Sequence, residues 1–250
     1  MVILWSEFDS RLSPLLIKYM EMIKMTKLKL GIPNGSMVDP KRGGLSYLLE
    51  KAGIYIDNLG KNKPLEINIP WIEAREARPQ EFPALANMGY CDAYFCGDDW
   101  AKDWDLAGIE SKKILGLDIG KVDIVVAVRT DILGTVIYAS EYPNIALNYL
   151  KSVDNITQLG IKSTDRVWLS DRKDKAQLFP SIGKTELKAY YKLVDGVIEA
   201  SQTGETLKNY GLVVEKVLMS SECSLYSKKE LDKSKKEKLY NLKNMLEKVK

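Results

Sequence analysis

The stretch that most constrains this chain is KVDIVVAVR, residues 121–129. Its apolar run is nearly continuous and rich in β-branched side chains, with no two-residue alternation. Such a run suits a strand covered on both faces. Residues 28–37 read as a short strand running into a Gly-rich turn, and strand-like segments recur at 65–74, 91–96, 134–140, 166–170 and 192–200, interleaved with helical patterns at 41–54, at the start of 78–100 and after 144. "GLVVEKVLMSSECSLYS" (211–227) reads as two strands joined by a tight turn, and the Lys/Glu-rich tail 228–250 as a helix with Leu231, Leu239, Leu242 and Leu246 on one face. The alternation predicts an α/β protein with mostly parallel sheets, whose ligands bind at the carboxyl ends of strands.

The chain has 250 residues and no histidine. That excludes Ser-His-Asp and Cys-His catalysis and His-ligated metals, leaving carboxylates, lysines, hydroxyls and backbone amides. The cysteines are Cys91, Cys96 and Cys223. An odd, low count predicts buried apolar thiols in a reducing, cytoplasmic setting, with no protein-ligated metal. A net charge of +3 carries no nucleic-acid signature. Residues 1–24 are broken by Glu7, Asp9 and Arg11, which fits an appended extension and not a secretory signal. No stretch reaches the length of a membrane span.

The chemistry concentrates in VIEASQTGETLKNYGL, residues 197–212. An apolar strand ends in Glu199, and a Ser-Gln-Thr-Gly-Glu-Thr turn follows. Gly204 permits a turn whose amides point at one spot, the Thr203 and Thr206 hydroxyls add donors, and a helical turn from Thr206 adds more. Glu199 is placed to accept from ribose hydroxyls beside a phosphate. The alternative is a solvated turn. Gly183-Lys184-Thr185 matches the end of a P-loop, but position 178 is Leu where that pattern has glycine.

Six segments then fall in one order: LKLGIPNGSM, RPQEFP, GYCDAYFCGDD, GKVDIVVAVR, ASEYPNIA and VDGVIEASQTGETLKNYGL. Their order and spacing over about residues 27–227 resemble the ATP phosphoribosyltransferase family, most specifically at Glu141-Tyr142-Pro143-Asn144 and at Glu199–Leu207. The resemblance implies a two-lobed, periplasmic-binding-protein-like (type II) fold with the active site in the inter-lobe cleft. Lobe 1 would be 25–122 plus 208–227, and lobe 2 would be 123–207 with the phosphate loop. It implies transfer of the phosphoribosyl group of phosphoribosyl pyrophosphate to N1 of ATP, the first step of histidine biosynthesis, with Mg²⁺ held mainly by the substrate.

Residue by residue, the resemblance places the 5-phosphate on Ser201, Gln202, Thr203, Gly204, Glu205 and Thr206. Glu199 would face the ribose and Arg78 would meet phosphate oxygens as the catalytic pair. Asn34, Gly35, Ser36, Gly97, Asp99, Glu141, Tyr142, Asn144 and Glu186 would line the nucleotide cleft. Asn34 stands where the family has Lys, Lys184 where it has Ala, and Tyr210 where it has Asn; Glu205 adds a negative charge to the phosphate loop. Only 23 residues follow Ser227, so the chain resembles the short form, which works with a separate regulatory subunit like a histidyl-tRNA synthetase. Homo-oligomers are also expected. Deleting 228–250 is expected to weaken assembly while sparing the monomer. Two other readings stay open: a catalytically silent nucleotide-binding protein on the same scaffold, and a phosphoribosyltransferase with another acceptor.

Overall fold

The computed structural model describes residues 26–39, 44–131, 137–153 and 177–250. The expectations for residues 1–24 and for the strand 166–170 lie outside the described residues. In chain order the elements are β1 (Leu28–Pro33), α1 (Leu45–Lys51), β2 (Ile56–Asp57), β3 (Glu66–Ile67), β4 (Ile72–Ala77), α2 (Phe82–Asn87), β5 (Ala93–Gly97), α3 (Asp98–Leu106), β6 (Ser111–Gly116) and β7 (Val122–Arg129). Then follow β8 (Ile137–Ser140), α4 (Pro143–Val153), β9 (Gln177–Pro180), α5 (Thr185–Tyr190), β10 (Gly196–Ser201), α6 (Glu205–Asn209), β11 (Leu212–Ser221), β12 (Cys223–Lys228) and α7 (Lys233–Glu247).

The chain divides into two compact units. The first draws on Met1–Phe95, Lys112–Leu115 and Leu225–Lys250; the second is Cys96–Ser111 and Gly116–Ser224. Residues 96–111, 116–122 and 208–224, read from the sequence as part of the first lobe, cluster with the second unit.

One five-stranded sheet has the order β4-β1-β5-β12-β6, and the other β11-β7-β10-β8-β9. Both follow one plan. A first strand lies between the second and third, and a strand arriving without a preceding helix separates the third from the fourth. β1 is parallel to β4 and β5, and β8 is parallel to β9 and β10. β7 runs antiparallel to both β10 and β11. No crossover helix turns the chain between β6 and β7, so the second sheet is mixed, against the mostly parallel expectation. The β7 side chains alternate between two packed clusters. Ile124, Val126 and Val128 enter one, while Val125 and Ala127 enter the other. That two-sided burial is why the stretch lacks alternation.

In the first unit Leu28, Leu30 and Ile32 of β1 are buried. The Tyr94 ring stacks between Phe82 and Tyr226, at centroid distances of 5.6 and 6.0 Å. Helix α7 starts at Asp232, whose carboxylate accepts from the Lys235 amide at 2.8 Å, and packs on β1. Its Leu239, Leu242 and Leu246 are at most 6% exposed, each contributing about 2 kcal/mol by burial. Leu231 lies outside the helix. The tail thus belongs to the core of the first unit, which overturns the expectation that 228–250 can be removed without harm to the monomer.

Three further readings are corrected. Residues 65–74 are not one strand: β3 ends at Ile67 and pairs with β2, Pro70 cannot donate to a ladder, and β4 starts at Ile72. The Gly97-Asp98-Asp99 turn is the entry to α3, with both acids in its first turn, where the helix dipole favours them. β11 and β12 are separated by Glu222 alone and lie in different sheets, so they form no hairpin. The three cysteines are free and buried. Among the described residues no helix is long and apolar enough to cross a membrane.

Candidate functional site

The register of three parallel strands builds the site. Ser140 of β8 lies opposite Ile198 of β10 and opposite Pro180 of β9. One residue further on, Ser181 and Glu141 leave β9 and β8 while Glu199 continues β10 at the same level, which brings the three together. The Ser181 amide donates to the Ser140 carbonyl at 2.7 Å, and the Ser140 hydroxyl donates to the Ile198 carbonyl at 2.6 Å. These bonds tie the three strands to one another at this level.

A pocket of about 310 Å³ opens there, lined by Glu141, Glu186, Glu199, Ser201, Gln202, Thr203, Gly204 and Thr206, with Val122, Ala200 and Leu207. The structure therefore assembles most of the expected phosphate-loop residues with three of the expected acids. Glu205 is exposed and does not line the pocket. Gly204 has φ +72°, the left-handed conformation that favours glycine. The turn closes on itself: the Gly204 amide donates to the Ser201 hydroxyl at 2.9 Å and the Glu205 amide to the Thr203 hydroxyl at 3.3 Å. Both hydroxyls accept in these bonds and keep their own protons for an outside acceptor.

Glu199 takes the Ala200 amide on Oε1 at 3.0 Å, while its buried Oε2 has no partner. Burial, with the charges of Glu141 and Glu186 adding to it, pushes its carboxyl up to about 7 against the pull of the Thr185 hydroxyl and the Ala200 amide. Burial also raises Glu141, aided by Glu186 and opposed by the Gly183 amide and Lys188. Thr185 is fully buried and donates to the Ser181 hydroxyl at 3.0 Å. Neither Ser181 nor Thr185 was among the sequence candidates. Thr185 lies in the Gly183-Lys184-Thr185-Glu186 segment, directly before the candidate acid Glu186. Lys184 does not line the pocket.

Other candidates hold the second unit together without lining this pocket. Asp99, 4% exposed, accepts from the Tyr142 hydroxyl at 2.7 Å and from the Ser221 hydroxyl at 2.9 Å. Burial raises its carboxyl despite those donors. A Cβ on Gly97 would lie 1.9 Å from Asp99 Oδ1, so a side chain there would push Asp99 from its two donors. The Asn144 amide and side chain and the Ile145 amide all donate to Asp103, each at 2.9 Å. Asp103 thus caps α4 from α3. It was missed in the sequence, although it lies four residues, one helical turn, after Asp99.

In the first unit the pairing of Pro33 with Ala77 sets Asn34 beside Arg78. The Asn34 amide donates to the Ala77 carbonyl at 3.1 Å, and Arg78 Nη1 lies 3.8 Å from where a Gly35 Cβ would stand. The Arg78 amide donates to Glu81 at 3.2 Å, closing the turn before α2. Asn34, Gly35 and Ser36 therefore form one turn with Arg78 at its side.

A family model described as ATP phosphoribosyltransferase matches residues 78–248. The chain belongs to the ATP phosphoribosyltransferase family. It is 28% identical over 235 residues to the enzyme so named from Pelotomaculum thermopropionicum, covering 88% of this chain and 72% of that one. It is also 28% identical over 197 residues to that from Nitratidesulfovibrio vulgaris, of which it spans only 62%. Among solved structures it superposes on the ATP phosphoribosyl transferase (HisG:HisZ) complex from Thermotoga maritima with a TM-score of 0.69 at 20% identity, covering 89% of this chain and 98% of that one. The α/β, periplasmic-binding-protein-like fold class expected from the sequence stands.

Proposed function

We propose that this family member transfers the phosphoribosyl group of phosphoribosyl pyrophosphate to N1 of ATP, the first step of histidine biosynthesis. The observation that carries the reading is the single pocket holding Glu199, Glu141 and the 201–206 turn at the carboxyl ends of three parallel strands. The Thr203 and Thr206 hydroxyls are the donors for the 5-phosphate, and Glu199 offers its unpartnered oxygen to a ribose hydroxyl. Adenine N1 brings its own lone pair. The N1–C1 bond forms as the bond from C1 to pyrophosphate breaks, the electron pair leaves with pyrophosphate, and no strong base is required. The task is to orient two anionic substrates and to stabilise positive charge on the ribose. The acids Glu141 and Glu199 beside the ribose supply the second. Arg78, beside Asn34 and Gly35, is the proposed contact for phosphate oxygens.

The acids fit Mg²⁺ only in one manner. Three carboxylates line the pocket, yet among the described residues no three acid, thiol or imidazole groups converge to hold a metal. That donor set suits an ion carried on the pyrophosphate, whose chemistry there is to neutralise the leaving group. A cytoplasmic location and a regulatory subunit resembling a histidyl-tRNA synthetase complete the proposal; co-sedimentation with such a subunit tests the second.

The test is incubation with ATP, phosphoribosyl pyrophosphate, Mg²⁺ and pyrophosphatase, followed by absorbance of the N1-substituted adenine. A rise that needs both substrates and vanishes in the Thr203→Ala, Gly204→Ala double variant supports the proposal. Asn34 in place of the family's Lys, and the extra negative charge of Glu205, favour as second reading a nucleotide-binding protein without turnover. Retained binding with no absorbance change, alone or with the regulatory subunit, would select it.

A further inference from the structure

Between β9 and α5 the chain runs Ser181-Ile182-Gly183-Lys184 and enters the helix at Thr185. Gly183 and Lys184 both adopt positive φ, +76° and +51°. Glycine tolerates that conformation, whereas at a lysine it costs energy. The two residues fold the segment back, so that the Thr185 hydroxyl meets the Ser181 hydroxyl at 3.0 Å. Ile182 is fully exposed and Thr185 fully buried. That is the reverse of their polarities and points to a task for the hydroxyl.

The buried hydroxyl reaches two acids. It hydrogen-bonds to Glu199 and to Glu141, which lie with Ser181 at one level of the sheet. A hydroxyl has one proton and cannot serve Ser181, Glu141 and Glu199 together. The bond between Ser181 and Thr185 can run in either sense, since both ends are rotatable hydroxyls. With Ser181 as donor, the Thr185 proton is free for a carboxylate.

The surrounding groups decide which one receives it. Glu141 has the Gly183 amide and Lys188 to hold its charge. Glu199 faces the negative charges of Glu141 beyond β8 and of Glu186 on α5, and the Tyr142 hydroxyl, whose ionisation its charge opposes. Its Oε1 takes the Ala200 amide and its buried Oε2 has no partner. For the Glu199 anion the Thr185 hydroxyl is the largest stabilising influence, ahead of the Ala200 amide.

We propose that Thr185 is a positioning residue for Glu199: its hydroxyl, backed by Ser181, donates to the carboxylate, orients it and favours its charged form. Thr185 does not line the pocket, so it acts only through the acid. The purpose of the bond rests on the proposed reaction, because only a charged Glu199 stabilises positive charge on the ribose.

Carbon-13 NMR of the full chain, labelled at its glutamate side-chain carboxyls, tests the inference without substrate. Glu199→Gln identifies the Glu199 signal, which in the parent should titrate at about 7. Thr185→Val keeps the shape and removes the hydroxyl. It should move that midpoint up by about one pH unit or more. Thr185→Ala, as a second variant, should do the same, and Thr185→Ser should titrate as the parent does; circular dichroism confirms that each is folded. An unmoved midpoint in Thr185→Val and Thr185→Ala overturns the inference. So does a Thr185→Ser midpoint displaced as far as that of Thr185→Val. With ATP and phosphoribosyl pyrophosphate, the acid limb of the kcat profile should move up with the carboxyl in Thr185→Val and return in Thr185→Ser. A parent without turnover, or an acid limb that stays while the carboxyl moves, would count against the proposed reaction and leave the bond to Glu199 supported by its titration.

Discussion

Tyr142 donates its hydroxyl to Asp99 Oδ2 at 2.7 Å, tying the turn after β8 to the first turn of α3. Both residues are buried. Both stood among the sequence candidates for substrate contact, yet they contact each other. Trp100 packs over the same tyrosine, with ring centroids 4.3 Å apart. Replacing Tyr142 with Phe keeps the packing and leaves a buried carboxylate oxygen without its donor. The expected loss is about 1–3 kcal/mol of stability, read as a lower urea midpoint with an unchanged m-value. An unchanged midpoint would show that this joint carries no load.

The pocket acid Glu199 imposes a pH dependence. Its folded value of about 7 lies above its ordinary 4.5. Between those values the folded state binds more protons than the unfolded state, so stability falls as pH rises from about 4.5 to about 7 and stays reduced above. The span corresponds to at most about 3 kcal/mol. Glu199→Gln removes the charge while keeping an acceptor for the Ala200 amide. It should flatten that part of the stability profile and stabilise the protein at pH 8. A variant as pH-dependent as the parent would contradict the assignment.

Asp92 predicts the opposite slope at lower pH. It is 1% exposed and accepts from the Lys29 amide and the ammonium groups of Lys235 and Lys228, each at 3.0 Å. Burial alone would raise its carboxyl, but those donors outweigh burial and hold it below the ordinary value of 3.8. Its contribution is present above that ordinary value and is lost as pH falls through the lowered one. Asp92→Asn leaves two partly buried ammonium groups without their anion, at about 2 kcal/mol near neutral pH after allowance for solvent. The thermal midpoint should drop at pH 7 and converge with the parent's in acid. A constant difference at all pH values would argue against the charge.

How much of this was legible beforehand follows from the reach of each interaction. β7 was readable because burial on both faces writes itself into consecutive residues. The 201–206 turn was readable because Gly204 and its flanking hydroxyls act within six residues. The Asp99–Tyr142 and Asp103–Asn144 bonds join residues 43 and 41 positions apart. An isolated Asp there cannot be told from a site acid until the fold brings its partner in. The split of 65–74 was signalled by Pro70, and the alternating pattern around it concealed the break. Helix α3 was hidden by its acids: Asp98 and Asp99 after Gly97 look like a turn until the helix dipole is seen to favour them.

In the proposed function the pocket beneath Glu199 and the 201–206 turn receives the phosphoribosyl donor. Isothermal titration calorimetry with phosphoribosyl pyrophosphate and Mg²⁺ measures that binding. Saturable binding is expected for the parent chain, with a loss of about tenfold or more in affinity for Thr203→Val, which removes a hydroxyl donor to a charged phosphate. Tyr142→Phe, which lies outside the pocket, should bind as the parent does. No binding by the parent chain, or equal affinity in Thr203→Val, would show that the donor does not bind at this turn.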